Sequence, residues 1–252
     1  MKYKLEEHVV AFIDILGSSK KIRENSEESL NIVHKVYENA LVSLEQLYEE
    51  KAVERLKPIV RIYSDNIVIA VPTKQIGGFS AFISVAVLSG LIQHEFLHYK
   101  YLVRGGISMG DFFNDNLMLW GEALLDAYYI ENNVSIYPRI VIHPKTVAKL
   151  NLAIDETRQK WIKQDRDGLF FIDYLKNTVS DELFIKLMLY RLKECQNLFL
   201  EVVGDVKLEQ KIHWLNTYLH SKLDIYSPEY NKILKQEVEE LESSTSKTQN
   251  EE

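Results

Sequence analysis

The sequence predicts an α+β fold built on an antiparallel sheet. Residues 9–15 form a near-continuous apolar run, which is typical of a strand buried on both faces. Residues 58–71 contain two apolar runs joined by a short polar turn, the pattern of a β-hairpin. Residues 26–56 and 79–99 repeat apolar side chains at the helical period. With an extended segment at 101–113, the order is βαββαβ, so we expect a ferredoxin-like core with its two helices on one face.

Further elements are predicted after this core. A strand at 117–120, a helix at 121–132 and a strand at 137–143 continue the alternation, and residues 170–174 are predicted to form an edge strand. Residues 181–223 fit one or two amphipathic helices. The acidic stretch 237–252 lacks periodicity and is expected to be disordered. We therefore predict a core domain at 1–150, a C-terminal extension at 151–225 packed on the core or at a dimer interface, and a tail at 226–252.

Composition excludes several classes of protein. The 252 residues are 46% hydrophobic, enough for one large domain with an appendage. A net charge of -7 argues against a nucleic-acid groove. The single cysteine, Cys195, excludes a disulfide framework and lies in a helical apolar pattern typical of a core residue. The polar N-terminus runs directly into a strand, and no apolar run is expected to reach transmembrane length. We expect a cytoplasmic protein with neither membrane nor nucleic acid as partner.

Two aspartates occupy positions suited to metal binding. Asp14 lies near the end of the first strand, just before Gly17, and Asp65 lies at the tip of the predicted hairpin. Carboxylate oxygens on adjacent strand ends are ligands that hard divalent cations prefer. The alternative is that both side chains only make their turns soluble. The turn at residues 17–20 leads from a strand into a helix and is a plausible cradle for phosphate.

A second motif points to a different chemistry. His94, Glu95 and His98 fit H-E-x-x-H, which on a helix places two histidines on one face for zinc. Glu122 would be a third ligand, with Asp126 behind it. A zinc metallopeptidase is therefore an alternative. Against it, the longer form of the motif is absent, and a strand and hairpin separate His98 from Glu122.

Four segments, in this order, resemble the catalytic domain of the class III nucleotidyl cyclases. They are F-I-D-I-L-G at 12–17, R-I-Y-S-D at 61–65, R-G-G-I-S-M-G at 104–110 and W-G-E-A-L-L-D-A-Y-Y-I-E at 120–131. The glycines of the third segment also favour a close approach of backbone or ligand. The resemblance spans residues 8 to 143, and it implies the cyclase form of the ferredoxin-like core with extra strands and C-terminal helices.

Departures from the purine cyclases narrow the resemblance. Arg61 stands where those enzymes carry a substrate-binding lysine. Leu125 and Tyr129 stand where they carry the asparagine and the arginine that act on the transition state. Met118 stands where they carry the carboxylate that recognises adenine. The pattern G-x-A-L-x-x-A-Y-x-I-E, followed by Y-P-R-I, is most similar to the pyrimidine cyclases of bacterial Pycsar antiphage systems. That resemblance implies conversion of UTP or CTP to the 3′,5′-cyclic monophosphate, a messenger that activates a separate effector. The base remains open.

The resemblance also implies roles for individual residues. Asp14 and Asp65 would be catalytic and, with the Ile15 carbonyl, would hold two Mn²⁺ or Mg²⁺ ions at a site formed by a homodimer. The nucleoside triphosphate would contact Leu16, Gly17, Ser18, Arg61, Tyr63 and Arg104. Because the asparagine and arginine are missing, a non-catalytic nucleotide sensor on a cyclase scaffold stays open beside the zinc peptidase.

Overall fold

The structure is a computed structural model, and it describes residues 3–51, 57–155, 160–175 and 180–224. The predicted disordered tail and the last residues of the first long predicted helix, 52–56, lie outside these ranges. The chain divides into two compact units, residues 1–174 and 175–252. The strands after residue 150 are part of the sheet of the first unit. The boundaries predicted at 150 and 225 stay a prediction.

The described elements of the first unit alternate strands and helices much as the sequence predicts. In chain order they are β1 (Glu6–Leu16), α1 (Ser18–Glu24), α2 (Ser26–Lys51), β2 (Ile59–Tyr63), β3 (Asn66–Pro72), α3 (Thr73–Ile76), α4 (Gly78–His98), β4 (Leu102–Asn114), β5 (Leu119–Trp120), α5 (Glu122–Tyr129), a π-helical turn (Ile130–Val134), β6 (Ile140–Ile142), α6 (Pro144–Lys149), β7 (Ile162–Gln164) and β8 (Phe170–Ile172).

The sheet confirms the predicted α+β, ferredoxin-like core. Its strand order is β2-β3-β1-β4-β6-β8-β7, with β5 paired to β4. The first four strands in this order are antiparallel to their neighbours, and β6 adds to β4 in parallel. This is the arrangement that a βαββαβ unit forms when its hairpin packs beside the first strand.

Residues 170–172 of the predicted strand 170–174 do form a strand, but the prediction that this strand lies at the edge of the sheet is wrong. This strand is β8, which lies between β6 and β7, and the edge is the three-residue strand β7. A strand of three residues is too short for alternation of apolar and polar side chains to show in the sequence.

The sheet is covered on both faces. The odd-numbered residues of β1, from Val9 to Ile15, pack against α2 and α4 in the main core. The even-numbered residues Val10 and Phe12 face the other way and pack beneath α5 with Phe112 and Ala123. Because successive side chains of a strand point to opposite faces, this alternation makes β1 a central strand, as its apolar run predicts. It also places α4 and α5 on opposite sides of the sheet.

Helix α4 corrects one expectation. By length and composition it is apolar enough to cross a membrane, whereas we expected no run of that length. However, 56% of its most apolar stretch is buried within the protein. Its buried Gln93 donates a hydrogen bond to the carbonyl of Pro138 at 2.9 Å. A single helix of this kind is weak support for a membrane span, and these contacts are those of a core helix.

The second unit contains two described helices, α7 (Asp181–Glu201) and α8 (Val206–Leu223). Asp205 caps α8 by accepting hydrogen bonds from the backbone N–H groups of Lys207 and Leu208. Cys195 is buried between the helices, with its Sγ 3.5 Å from the carbonyl of Ile212. Burial raises the pKa of the Cys195 thiol to about 11. The thiol is therefore protonated at neutral pH, in agreement with the predicted core role.

A buried arginine fastens the β7–β8 hairpin. Arg139, which is only 1% exposed, forms ion pairs with Asp165 and Asp167 in the hairpin turn. The backbone N–H of Leu169 also donates to Asp167. Burial alone would raise the pKa of Asp167, but the hydrogen bonds from Arg139 and the backbone, with the charge of Arg139, lower it below its usual range. The ionised form is thus favoured in the folded state.

We expect Asp167→Asn to destabilise the protein at neutral pH and to lose this effect in acid. A carboxyl whose pKa is lowered by folding contributes stability above its unfolded pKa, and this contribution disappears as pH falls through the folded pKa. Urea unfolding of the wild type and the variant should therefore give the same difference at about pH 7 and pH 5 and a smaller one at about pH 3. Asp111→Asn, at an exposed position on β4, is the charge-matched control. A difference that grew as the pH fell would contradict the role of Asp167.

Candidate functional site

Four predicted site residues, Asp14, Arg61, Tyr63 and Arg104, lie on one face of the sheet. Tyr63, Asn66, Asp14 and Arg104 are successive partners across β2, β3, β1 and β4. Residues directly opposite each other in a sheet point to the same face, here the face covered by α5. Arg61 lies in the next row, opposite Val68, and shares this face. The structure therefore groups Asp14, Arg61, Tyr63 and Arg104 as the sequence predicts.

Asp65 lies at the tip of the β2–β3 hairpin. Ser64 and Asp65 form a two-residue turn closed by the pair Tyr63 and Asn66. Ser64 has φ of 56°, in the left-handed region that favours glycine. Glycine is usual at the Ser64 position, so the turn is strained. The Asn66 amide donates to Asp65 Oδ1 at 3.1 Å and helps to hold the carboxylate in place.

The loop after β1 meets this hairpin tip. The N–H of Ile15 donates to the Asp65 carbonyl at 3.1 Å. Gly17, with φ of 72°, turns the chain so that the buried Ser18 begins α1 and donates its hydroxyl hydrogen bond to Asp65 Oδ2. An extended residue presents its N–H and carbonyl to the same neighbour, so the Ile15 carbonyl also faces the hairpin. The predicted phosphate loop and both aspartates thus meet at one end of the sheet.

Arg104 connects Asp14 to a carboxylate that was not among the predicted site residues. Its Nε donates to Asp14 Oδ2 at 3.3 Å, and its Nη2 lies 2.8 Å from Oε1 of Glu131. The guanidinium of Arg104 and the carboxyl of Glu131 are therefore in ion-pair contact. However, Oε1 of Glu131 is buried, and no N–H group points at it with the geometry of a hydrogen bond. Glu131 is only 3% exposed. The one sequence signal for it was its place at the end of the W-G-x-x helix motif.

The charge of the site acts on Glu131. Burial raises the pKa of the Glu131 carboxyl, the charge of Arg104 lowers it, and the charges of Asp14 and Asp65 raise it again, to about 7 in total. Both aspartates are therefore close enough to repel a negative charge on Glu131. The two aspartates together with Glu131, which is partly ionised at neutral pH, carry more negative charge than the one guanidinium offsets, which makes this end of the sheet attractive to cations.

Glycine in β4 allows Glu131 to come so close to the sheet. A Cβ on Gly106 would lie 2.7 Å from Cβ of Ile130 and closer still to the carbonyl oxygen of Ala127. The chain that carries Glu131 therefore rests directly on the strand backbone, and it does so where α5 widens into a π-helical turn, a feature frequent at functional sites. This confirms the close approach predicted from the glycines of the third motif.

The donor set fits a divalent cation. Asp14 and Asp65 offer carboxylate oxygens and Ile15 a backbone carbonyl, all hard ligands. Asp14 and Asp65 are a pair of side-chain ligands. Within the described ranges no group of three or more His, Cys, Asp or Glu side chains is placed to hold a metal ion. Sites for Mg²⁺ commonly use one or two carboxylates and are completed by substrate phosphates and water. The arrangement therefore suits a metal that arrives with a phosphorylated ligand.

The structure does not bring together the ligands of the zinc hypothesis. His94, Glu95 and His98 lie on α4, whereas Glu122 and Asp126 lie on α5, across the sheet. Glu95 accepts a hydrogen bond from Asn39 of α2 at 3.1 Å. Asp126 lies 3.9 Å from the ring of His143. With no group of three ligands among the described residues, the motif on α4 lacks the partner that zinc requires.

An exposed apolar surface adjoins the site. Leu125 is 68% exposed and Tyr129 is 57% exposed, one turn apart on the outer side of α5. Trp120 and Tyr128 beside them are also exposed.

No model of a protein family and no curated protein matches the sequence. Among solved structures, the chain is similar to the guanylyl cyclase domain of the RhoGC fusion protein from Blastocladiella emersonii, at 15% identity and a TM-score of 0.47, over 69% of this chain and 98% of that one. It is similar to the guanylate cyclase domain of RhGC from Catenaria anguillulae in complex with GTP, at 11% identity and a TM-score of 0.45, over 66% and 96%.

A third similar structure is the adenylate/guanylate cyclase/hydrolase from Silicibacter pomeroyi, at 11% identity and a TM-score of 0.42, over 67% of this chain and 95% of that one. These neighbours are class III adenylate or guanylate cyclase domains. At such identities and TM-scores they do not establish a family or an activity for this chain.

We expect Gly106→Ala to destabilise the protein by about 1–3 kcal/mol, because the new methyl group overlaps the backbone of α5 and the π-helical turn. Gly110→Ala is the matched control on the same face of β4, where a Cβ meets Ala123 at an ordinary distance of 3.6 Å or more. Urea unfolding of the two variants measures the difference. Equal stability of the two variants would show that α5 does not rest on Gly106 as described.

Proposed function

We propose that this protein is a nucleotidyl cyclase that converts a pyrimidine nucleoside triphosphate, UTP or CTP, to its 3′,5′-cyclic monophosphate and pyrophosphate. The observation that carries the proposal is the meeting of Asp14 and Asp65 at one sheet end, with the Gly17 loop bound to Asp65 through Ser18. Two rigid carboxylates beside a loop suited to phosphate are what phosphoryl transfer requires.

Each residue has a role that its position supports. Asp14, Asp65 and the Ile15 carbonyl would hold two Mn²⁺ or Mg²⁺ ions, which when bound lower the pKa of the attacking 3′-hydroxyl and offset charge on the α-phosphate. Ser18 keeps Asp65 oriented through its hydroxyl. The backbone of Leu16, Gly17 and Ser18 supplies N–H donors for the remaining phosphates.

The base and the phosphates have further candidate contacts. Arg61 and Tyr63 point from the edge strand β2 to the same face as Asp14, where the guanidinium can offset phosphate charge and the phenol can stack on or hydrogen-bond the base. Arg104 lies beside Asp14 and is the second candidate for phosphate. The preference for a pyrimidine is supported by the sequence of α5 and of the Tyr137-Pro-Arg-Ile140 segment.

A homodimer is part of the proposal. The exposed apolar side chains of α5, including Leu125 and Tyr129, adjoin the site and suit contact with a second copy of the chain. By resemblance, the product would act as a messenger in antiphage defence and activate a separate effector. The protein would act in the cytoplasm, and its net charge of -7 fits neither a nucleic-acid nor an anionic membrane partner.

We expect Asp14→Asn and Asp65→Asn each to abolish cyclic nucleotide formation without unfolding the chain. Each change keeps the size of the side chain but removes a charge that the metal needs. Product is measured by mass spectrometry and folding by thermal melting. Asp111→Asn is the control, because Asp111 is exposed and points away from the site on β4. Activity retained by both site variants would overturn the metal-binding role.

We expect incubation of the pure protein with Mn²⁺ and each of ATP, GTP, CTP and UTP to give one cyclic pyrimidine monophosphate. Products identified by mass give the activity and the base in one experiment. A cyclic purine nucleotide as main product would contradict the pyrimidine preference while leaving the cyclase proposal in place.

A second candidate is a nucleotide sensor without catalysis. It is favoured by the exposed Leu125 and Tyr129 at positions where purine cyclases carry catalytic groups. This function predicts binding of a nucleoside triphosphate with no release of pyrophosphate. Calorimetric titration alongside a pyrophosphate assay separates the two functions, since turnover of any nucleotide excludes the sensor.

A further inference from the structure

Arg104 lies between two carboxylates, only one of which is a proposed metal ligand. We propose that Arg104 is the counter-ion of Asp14 while no metal is bound, and that the buried Glu131 takes over its guanidinium when a divalent cation binds Asp14. Glu131 is then a positioning residue that sets how strongly the site binds metal. This inference rests on the metal-binding role proposed above for Asp14.

The contact between Arg104 and Asp14 is one that a metal can replace. Its N–O distance of 3.3 Å exceeds the roughly 2.7–2.9 Å typical of charged N–H to carboxylate bonds. The two side chains are 21% and 20% exposed, so water and an incoming cation can reach the pair from solvent. Their proximity follows from register, since the two residues are direct partners across β1 and β4. The backbone therefore keeps Arg104 near Asp14 whether or not the ion pair forms.

Glu131 can hold the guanidinium more firmly than it does here. Its Oε1 lies 2.8 Å from Nη2 of Arg104, yet no donor is aligned on this buried oxygen. A buried acceptor without a hydrogen bond is unfavourable. A guanidinium has five N–H donors in a rigid fork. Once Asp14 turns to a metal ion, the fork is free to rotate and align on Glu131, which satisfies that oxygen.

The exchange keeps charges balanced. A divalent cation at Asp14 repels an arginine beside it, and the nearby negative charge of Glu131 offsets that repulsion. Without Glu131, the same arginine keeps Asp14 as its nearest described carboxylate partner and competes with the metal for it. Arg104 and Glu131 therefore act on metal affinity in opposite directions, and Glu131 acts through Arg104.

The test is titration of the full chain with Mn²⁺ alone, followed by calorimetry or by loss of the free-Mn²⁺ paramagnetic resonance signal. We expect Arg104→Met to bind Mn²⁺ roughly tenfold more tightly than the wild type, and Glu131→Gln roughly tenfold more weakly, from the loss of one close charge in each case. In the double variant Glu131→Gln should have no further effect, because its partner is gone.

Three controls make the outcome decisive. Lys74→Met removes a positive charge from α3, where the exposed ammonium lies 4.0 Å from Glu6 at the opposite end of β1 from Asp14, and should leave Mn²⁺ affinity within about twofold, since screened surface charges act weakly. Asp14→Asn should abolish Mn²⁺ binding. Thermal melting checks that each variant is folded, and Arg104→Gln and Glu131→Leu replace any variant that is not.

The outcomes separate the two proposals. Mn²⁺ binding that depends on Asp14 but is unchanged or weakened by Arg104→Met overturns the exchange and leaves the metal site standing. The exchange is also overturned if Glu131→Gln weakens binding equally with and without Arg104, which would indicate a direct effect of its charge. If neither the wild type nor Arg104→Met binds Mn²⁺, both the exchange and the metal-binding role are overturned.

Discussion

The candidate site depends on the close approach of α5 to β4. Gly106 has no side chain, and the helix backbone fills the space that a Cβ would take. This contact brings the π-helical turn down onto the sheet and buries Glu131 beside Arg104. Because Arg104 is the cross-strand partner of Asp14, one steric feature of β4 links the helix to the first candidate metal ligand.

Electrostatics explains how an acidic protein could accept the proposed nucleoside triphosphate. The site brings Asp14 and Glu131 into contact with one guanidinium and places Asp65 near Glu131, so it attracts cations before it attracts phosphate. Metal ions bound there would reverse the local sign of charge and admit a triphosphate. The net charge of the whole chain is therefore a poor guide to the chemistry at this one end of the sheet.

Two arginines differ in how firmly their partners hold them: Arg104 lies in β4, and Arg139 lies just before the neighbouring strand β6. Arg139 is almost fully buried and pairs with both Asp165 and Asp167, which fixes the β7–β8 hairpin. Arg104 is partly exposed, and its two contacts are a long hydrogen bond and an unaligned ion pair. The first arrangement resists change, whereas the second leaves a charge that can move between partners.

Much of this site can be predicted from sequence, because each of its strands is indicated by a pattern within a few consecutive residues. The apolar run before Asp14, the hairpin that carries Asp65 and the glycines of β4 each show in a few consecutive residues, and their order predicts the ferredoxin-like core. The burial of Glu131 and the order of β7 and β8 do not show there. Both depend on contacts between segments that are distant in the chain. The residues around Glu131 do not indicate that its carboxylate will be buried against β4. Local periodicity thus decides the elements, and only their packing decides which charges meet.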